Sequence, residues 1–206
     1  MNTVRKGVIF LFDGKMKVLR GMLKNRPILV PGGTRPVSMR VKKSLFDLIS
    51  SEIKGKRVLD LFAGSGGLGV EALSCGAEMA TFIEIRKSAV EVINKNLSSL
   101  HLTMKGRVYW KDVFKSIKDF WKKGVKFDFI FLDPPYYKGM TRKVLKMLDE
   151  YDILTFLGYV VCLGYYKDEE GEEIYRNFSL IRKKRYGQTV VLIYRKDECC
   201  NISGNI

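Results

Sequence analysis

The stretch from Arg57 to Leu73 constrains the fold of this chain more than any other. An apolar run over 58–61 breaks at closely spaced glycines, and a helical pattern follows at once. This order predicts a strand, a tight turn and a helix, the first unit of an α/β sheet. Gly64 and Gly66 let the backbone take positive φ and approach a ligand. That ligand would meet the free N–H groups and the positive dipole end of the helix.

Asp60 stands near the end of this first strand, just before the turn. A carboxylate there would repel a pyrophosphate, whereas it would attract a cationic or amine-bearing ligand. Glu84 ends the next apolar run, about twenty residues past the glycines, where an acidic residue can bind ribose hydroxyls. The two positions favour a cofactor that joins a nucleoside to an amino acid over a dinucleotide.

Two further strands are each followed by a carboxylate. Asp112 comes after the run 107–110, and Asp133 comes after the run 127–132. Because ligands of open α/β sheets bind outside the carboxyl ends of the strands, we predict that all four acidic residues face one pocket.

The residues after the fourth strand carry a resemblance to known enzymes. Asp133-Pro134-Pro135-Tyr136 resembles the tetrapeptide of S-adenosylmethionine-dependent methyltransferases that act on exocyclic amino groups of bases. The wider motif set resembles the bacterial 16S rRNA guanine-N2 methyltransferases of the RsmD family, over residues 16 to 196. That set comprises Thr34-Arg35-Pro36, Arg40-Val41-Lys42, Leu45-Phe46, the run 59–66 and Gly187-Gln188.

The resemblance implies a fold, a cofactor and a set of site residues. We expect a Rossmann-like class I methyltransferase, with a seven-stranded, mostly parallel sheet, helices on both faces and a small basic N-terminal β-hairpin. The cofactor would be S-adenosylmethionine. The catalytic residues would be Asp133, Pro134 and Tyr136. Cofactor binding would involve Asp60, Phe62, Gly64, Gly66, Glu84, Asp112 and Asp133, and RNA binding would involve Arg20, Lys24, Arg26, Arg35 and Arg40.

The distribution of charge supports a polyanionic partner. The formal net charge is +15, of which +11 falls in residues 1–57 and only +4 in the remainder. A basic arm in front of a nearly neutral domain is typical of nucleic-acid binding. We therefore expect 16S rRNA, within a small-subunit particle, as the partner. The alternative is a lysine-rich surface that serves only solubility.

Composition bounds the remaining expectations. A chain of 206 residues with 46% hydrophobic content suits one α/β domain. Its apolar runs are too short to span a membrane. Four cysteines without a Cys-x-x-Cys pair, and a single histidine, give no metal site. These features predict a reduced, cytoplasmic protein. We also expect it to be a monomer.

We divide the chain into four segments. Residues 1–15 are an N-terminal extension, either with a strand over 8–12 or upstream of the true start. Residues 16–37 are the basic hairpin and loop, 38–197 the methyltransferase domain and 198–206 a polar tail. Within the domain, Ser38 is predicted to cap a helix, and Asn94 and Asn96 are expected near the rim of a later one.

Three alternatives to this function remain. A DNA adenine-N6 methyltransferase shares the same tetrapeptide, although this length leaves no room for a separate target-recognition domain. A nicotinamide-dependent oxidoreductase would need a pyrophosphate cradle and a second domain, and Asp60 disfavours it. An RNA-binding module without activity would not require four aligned carboxylates.

Overall fold

The computed structural model describes residues 12–34, 37–135, 139–167 and 174–197. In these ranges a two-stranded hairpin lies beside a seven-stranded sheet, as the sequence predicts. The strands are β1 Phe12–Lys17, β2 Pro27–Pro31, β3 Arg57–Leu61, β4 Met79–Glu84, β5 Gly106–Trp110, β6 Phe127–Leu132, β7 Leu154–Tyr165, β8 Ser179–Tyr186 and β9 Thr189–Arg195. The α-helices are α1 Met39–Ile49, α2 Gly67–Ser74, α3 Lys87–Ser99, α4 Val113–Lys122 and α5 Met140–Glu150. None of the helices in these ranges is long and apolar enough to cross a membrane.

The large sheet has the strand order β5-β4-β3-β6-β7-β9-β8. The first five strands of this order run parallel, and β9 is antiparallel to both of its neighbours. The chain leaves β3 to build β4 and β5 on one side, then returns to build β6 on the other. This change of direction leaves a crevice at the carboxyl ends of β3, β4 and β6.

Two apolar layers cover the sheet. On one face, α1, α2, α3 and the hairpin pack through residues such as Phe46, Val70 and Ile93. On the other face, α4 and α5 pack through residues such as Ile117 and Leu145. Alternate residues of each central strand serve the two layers, since successive side chains point to opposite faces.

The strand β7 begins four residues before the apolar run over 158–163. Leu154 pairs with Phe127, and the regular register resumes where Tyr159 meets Phe129. Between these pairs Leu157 takes a φ of 59°, a left-handed conformation that bulky residues rarely adopt. The irregularity separates two stretches of one strand, so the local pattern showed only the second stretch.

The N-terminal hairpin also begins earlier than predicted. β1 starts at Phe12, so residues 12–15 belong to the hairpin and not to a separate extension. Most of the possible strand over 8–12 lies outside the described residues. In the connection between β1 and β2, Asn25 has a φ of 70°, a left-handed conformation that asparagine tolerates in turns.

A buried polar network holds the hairpin on α2. One carboxylate oxygen of Glu71 on α2 accepts the N–H groups of Leu19 at 2.8 Å and Arg20 at 2.6 Å. The hydroxyl of Ser74, one turn later, accepts the N–H of Leu23 at 2.9 Å and donates to the carbonyl of Arg20. These bonds satisfy backbone groups of the hairpin connection that would otherwise lose their hydration on burial.

The expectation that Asn96 lies at the rim is wrong. Its side chain is fully buried, whereas that of Asn94 is exposed. The Asn96 amide accepts the N–H of Leu29 at 2.8 Å and donates to the carbonyls of Leu29 and Ser65 at 2.9 and 3.0 Å. Asn96 therefore ties β2 of the hairpin to the glycine turn after β3.

Candidate active site

A cavity of about 760 Å³ opens at the carboxyl ends of the parallel strands. This volume lies within the usual range for cofactor and substrate pockets. The structure places all four predicted strand-end carboxylates on its wall: Asp60, Glu84, Asp112 and Asp133. It thus brings together residues that lie up to 73 positions apart in the sequence.

The turn after β3 is built from residues with positive φ. Phe62, Gly64 and Gly66 have φ values of 62°, 55° and 75°. Phe62 is the unusual one, because a side chain disfavours this conformation. The turn is held by the N–H of Ala63, which donates to the carbonyl of Ile83 at 3.0 Å. Phe62 and Gly64 line the cavity.

Gly66 does not line the cavity. A Cβ added to it would lie 3.3 Å from both Ile93 and Phe82, in the core behind the turn. The same construction at Gly64 makes only ordinary contacts, with Thr34 at 3.5 Å and the carbonyl oxygen of Phe62 at 3.9 Å. A side chain at Gly66 would therefore enter the core and not the cavity, contrary to the prediction that Gly66 approaches the ligand. Glycine is needed there because Gly66, the N-cap of α2, has a left-handed conformation.

Glu84 organises the glycine turn from β4. One of its carboxylate oxygens accepts the N–H of Gly64 at 2.9 Å, and the other accepts the N–H of Arg86 at 2.8 Å. The guanidinium of Arg86 also reaches the second oxygen, at 3.4 Å. Each carboxylate oxygen can accept more than one hydrogen bond, so Glu84 keeps capacity for a ligand.

Asp60 is buried beneath the same turn and accepts the N–H of Gly69 at 2.9 Å. Burial raises the pKa of Asp60 well above its usual range, and the nearby carboxylates of Asp133 and Glu84 raise it further. The bond from Gly69 acts in the opposite direction. The repulsion among these carboxylates would be relieved by a positively charged ligand.

Asp133 follows β6 and leads into Pro134 and Pro135. Removal from bulk water raises the pKa of Asp133 to about 7. Its side chain is nevertheless partly exposed, because one side faces the cavity. Asp133 can therefore change protonation state near neutral pH, which is a property expected of a residue that handles protons.

Asp112 reaches the cavity from the start of α4. It caps this helix by accepting the N–H of Lys115 at 3.0 Å, so the helix fixes its position.

The binding roles of the four carboxylates stay predictions, because only their positions are observed. Two predicted site residues, Arg35 and Tyr136, lie outside the described residues.

The cavity has a wall that the sequence did not predict. Met16 and Val30, from the two strands of the hairpin, lie on it together with Lys42 of α1 and Thr189 of β9. The hairpin was predicted only as an RNA contact, because that prediction considered its basic residues alone. Its apolar residues at alternate positions were the signal for a buried face.

The predicted RNA-binding residues differ in their surroundings. Lys24, Arg26 and Arg40 are exposed. Arg20 is partly buried and forms an ion pair with Asp47 of α1. Its charge is thus partly neutralised within the protein.

The strand order, the antiparallel β9 and the cavity at the strand ends define a class I methyltransferase fold, the class whose methyl donor is S-adenosylmethionine. A family model described as "Conserved hypothetical protein 95" matches residues 16–195. The chain belongs to this family, the RsmD family.

Relatives and solved structures agree with this assignment. "Putative rRNA methyltransferase YlbH" of Bacillus subtilis is 38% identical over 183 residues, covering 88% of this chain and 99% of its own. "Ribosomal RNA small subunit methyltransferase D" of Escherichia coli K12 is 30% identical, covering 90% and 92%. The solved structure "Putative methyltransferase yhhF from Escherichia coli" has a TM-score of 0.78 at 29% identity, covering 89% and 99%.

Proposed function

We propose that this protein transfers a methyl group from S-adenosylmethionine to the exocyclic N2 amine of a guanine in small-subunit rRNA. The observation that carries the proposal is the convergence of Asp60, Glu84 and Asp133 on one cavity beside the glycine turn. The names of the Escherichia coli and Bacillus subtilis relatives support rRNA as the substrate. The choice of the guanine N2 atom rests on the sequence motifs.

The cavity residues suit the cofactor by charge and by shape. Asp60 would lie near the cationic methionine end, where a positive ligand would offset both the burial of its negative charge and the repulsion from Asp133 and Glu84. Glu84 would accept hydrogen bonds from the ribose hydroxyls. Gly64 leaves the turn open to the ligand, and Phe62 and Asp112 would complete the wall.

The cofactor, once bound, supplies an electrophilic methyl group, and the residues around Asp133 would prepare the acceptor. A guanine N2 amine is a weak nucleophile because its lone pair is delocalised into the ring. Asp133 would accept one N–H of this amine, and the carbonyl of Pro134 would accept the other. Two fixed acceptors favour a pyramidal nitrogen with its lone pair directed at the methyl group. Pro134 and Pro135 restrict φ and so preorganise the loop.

The raised pKa of Asp133 gives this residue a second role. In its ionised form the carboxylate orients the amine, and with a pKa of about 7 it can also receive the proton that the amine loses. Tyr136 would provide a face for stacking of the target base, worth about 1–3 kcal/mol. A base within a helix would first have to be flipped out.

Mass spectrometry of rRNA provides the decisive experiment. Small-subunit rRNA from a strain that lacks the gene should lose one N2-methylguanine, and the gene carried on a plasmid should restore it. A plasmid encoding Asp133→Ala should not restore it. Loss of N6-methyladenine instead would contradict the guanine assignment, and an unchanged set of modified nucleotides would contradict the proposed function.

Calorimetry tests the cofactor separately. The purified protein should bind S-adenosylmethionine and should not bind nicotinamide dinucleotides. The reverse result would contradict the proposal at the level of the cofactor, whatever the substrate.

A further inference from the structure

The edge strand β8 carries four consecutive basic residues, 182–185, and all four are exposed. They fall on two faces of the sheet. Arg182 pairs with Ile193 and Lys184 with Val191, whereas Lys183 pairs with Leu192. Residues paired across strands project to the same face. Arg182 and Lys184 therefore lie on the face that α1 covers, and Lys183 and Arg185 lie on the other.

A bulge determines this distribution. Leu180 pairs with Tyr194, and the register shifts before Arg182 pairs with Ile193. One extra residue in β8 moves every later side chain to the opposite face. Without the shift, Arg182 and Lys184 would point away from α1.

The α1 face of β8 adjoins the cavity. Tyr186, on the same face as Lys184, pairs with Thr189, and Thr189 lines the cavity. Lys184 Nζ lies 5.3 Å from the centre of the Tyr186 ring. In the strand order Thr189 on β9 lies on the side of β6 and β7, away from Glu84 on β4. An acceptor held by Asp133, which follows β6, would lie on this side of the cavity.

The helix α1 links this strand to the basic hairpin. The hydroxyls of Ser44 on α1 and Tyr186 are hydrogen-bonded. Arg40 lies one helical turn before Ser44, on the same side of the helix. Lys43, on the neighbouring side of α1, lines a surface depression together with Lys24 and Arg20 of the hairpin connection. Basic residues thus extend from the hairpin across α1 to β8.

We infer that Arg182 and Lys184 on β8, with Arg40 on α1, form an RNA-backbone-binding surface beside the acceptor side of the cavity. This inference rests on the proposed function, because it assumes that the acceptor is a nucleotide of rRNA. Lysine and arginine bind phosphates without regard to sequence, so the surface would position the RNA while the cavity selects the base. Asp47 is the acidic residue of α1, and it is already paired with Arg20.

The two faces of β8 allow a matched experiment. Arg182→Gln/Lys184→Gln and Lys183→Gln/Arg185→Gln each remove two charges from the same strand. Binding of transcribed 16S rRNA would be measured by filter retention at 50 and 200 mM salt. The first variant should bind about tenfold more weakly at 50 mM and lose roughly one to two units of salt slope, whereas the second should stay within about twofold.

Three results would overturn the inference. The first is an equal loss of rRNA affinity in the two variants, and the second is no loss in the first variant. The third is a larger loss of affinity for duplex DNA than for the rRNA in the first variant.

Arg185 lies over the Tyr166 ring at 3.6 Å, so the thermal midpoint of each variant is measured too. The neighbouring single changes Lys184→Glu and Lys183→Glu repeat the comparison without altering Arg185, and Lys184→Glu should be the weaker binder. Methyl transfer by the unaltered protein is measured on the same RNA and on small-subunit particles from a strain that lacks the gene. Absence of transfer to both contradicts the proposed function, while transfer with equal binding by the two variants contradicts only the β8 surface.

Discussion

Lys42 Nζ lies 2.8 Å from Glu71 Oε2, and both side chains are almost wholly buried. The pair connects α1 to α2 and also fixes the hairpin. Lys42 donates to the carbonyl of Lys17 at 3.2 Å, and the other oxygen of Glu71 accepts two N–H groups of the hairpin connection. Since Met16 and Val30 of the hairpin line the cavity, this ion pair supports one wall of the active site.

The first prediction concerns this pair. Lys42→Met should lower the free energy of unfolding by about 3–5 kcal/mol, because it leaves the carboxylate of Glu71 buried without its partner. It should also weaken binding of S-adenosylmethionine, because the hairpin wall is no longer held in place. Urea unfolding and calorimetry measure the two effects. Lys43→Met, at the exposed neighbouring position, is the control and should change neither quantity.

The second prediction concerns Asn96. Asn96→Leu keeps the approximate volume but leaves the N–H and carbonyl of Leu29 without their buried partner, and should cost about 2–4 kcal/mol. Cofactor affinity should also fall, because Asn96 joins Ser65 of the glycine turn to the hairpin. Asn94→Leu, two residues earlier and exposed, is the matched control. Equal stability of the two variants in urea would show that the Asn96 network does not hold the hairpin.

The Lys42–Glu71 pair and the buried position of Asn96 could not be predicted from local sequence patterns, whereas other features could. The strand–turn–helix around Gly64, the strand-end carboxylates and the Ser38 cap were all predicted, because each depends on neighbouring residues. Ser38 accepts the N–H of Val41 at 3.3 Å, as a cap residue does. Lys42 and Glu71 could not be paired in advance, since periodicity carries no information about partners 29 residues apart.

Polar residues in amphipathic helices were a second source of error. Asn96 was expected at the rim because a polar side chain on such a helix is usually exposed. Its burial depends on the backbone of β2, which approaches α3 only in the folded protein. The basic face of β8 was missed for a related reason: a bulge decides which side chains share a face, and bulges leave no regular pattern in the sequence.

The third prediction separates three glycines by the space around them. Gly69→Ala should destabilise the protein most, by roughly 1–3 kcal/mol or more, because its Cβ would lie 2.3 Å from the buried ring of Phe82. Gly66→Ala should cost about 1–2 kcal/mol, since it places a side chain at a φ of 75° against Ile93.

Gly64→Ala should behave differently from both. It shares the strain of a positive φ, 55°, but its Cβ makes only ordinary contacts, with Thr34 at 3.5 Å and the carbonyl oxygen of Phe62 at 3.9 Å. The change should therefore cost no more stability than Gly66→Ala and should mainly affect cofactor binding. Thermal unfolding with and without S-adenosylmethionine distinguishes the variants: Gly64→Ala should lose most of the shift that the cofactor produces. A full shift for Gly64→Ala would show that the cofactor does not approach the turn.

The fourth prediction concerns the protonation of Asp133. If the ionised carboxylate orients the acceptor amine, kcat/KM should rise with pH through about 7 and level off above it. Asp133→Asn should lose methyl transfer by about 100- to 1000-fold, because the amide presents one acceptor and no negative charge. It should retain binding of S-adenosylmethionine, and a rate close to that of the unaltered protein would contradict the mechanism.

Asp133→Asn should weaken methyl transfer but stabilise the folded protein. The pKa of Asp133 is raised by folding from about 3.8 to about 7, so the folded protein binds more protons than the unfolded chain between these values. Stability therefore falls as pH rises through this window.

Asp133→Asn removes the buried charge and should raise the free energy of unfolding at pH 8 by about 1–3 kcal/mol. This gain is less than the full pKa shift implies, because the side chain partly faces water. At pH 4, where Asp133 is protonated in the folded protein, the difference should largely disappear. Urea unfolding at the two pH values measures it, and a gain as large at pH 4 as at pH 8 would show that the charge of Asp133 is not its cause.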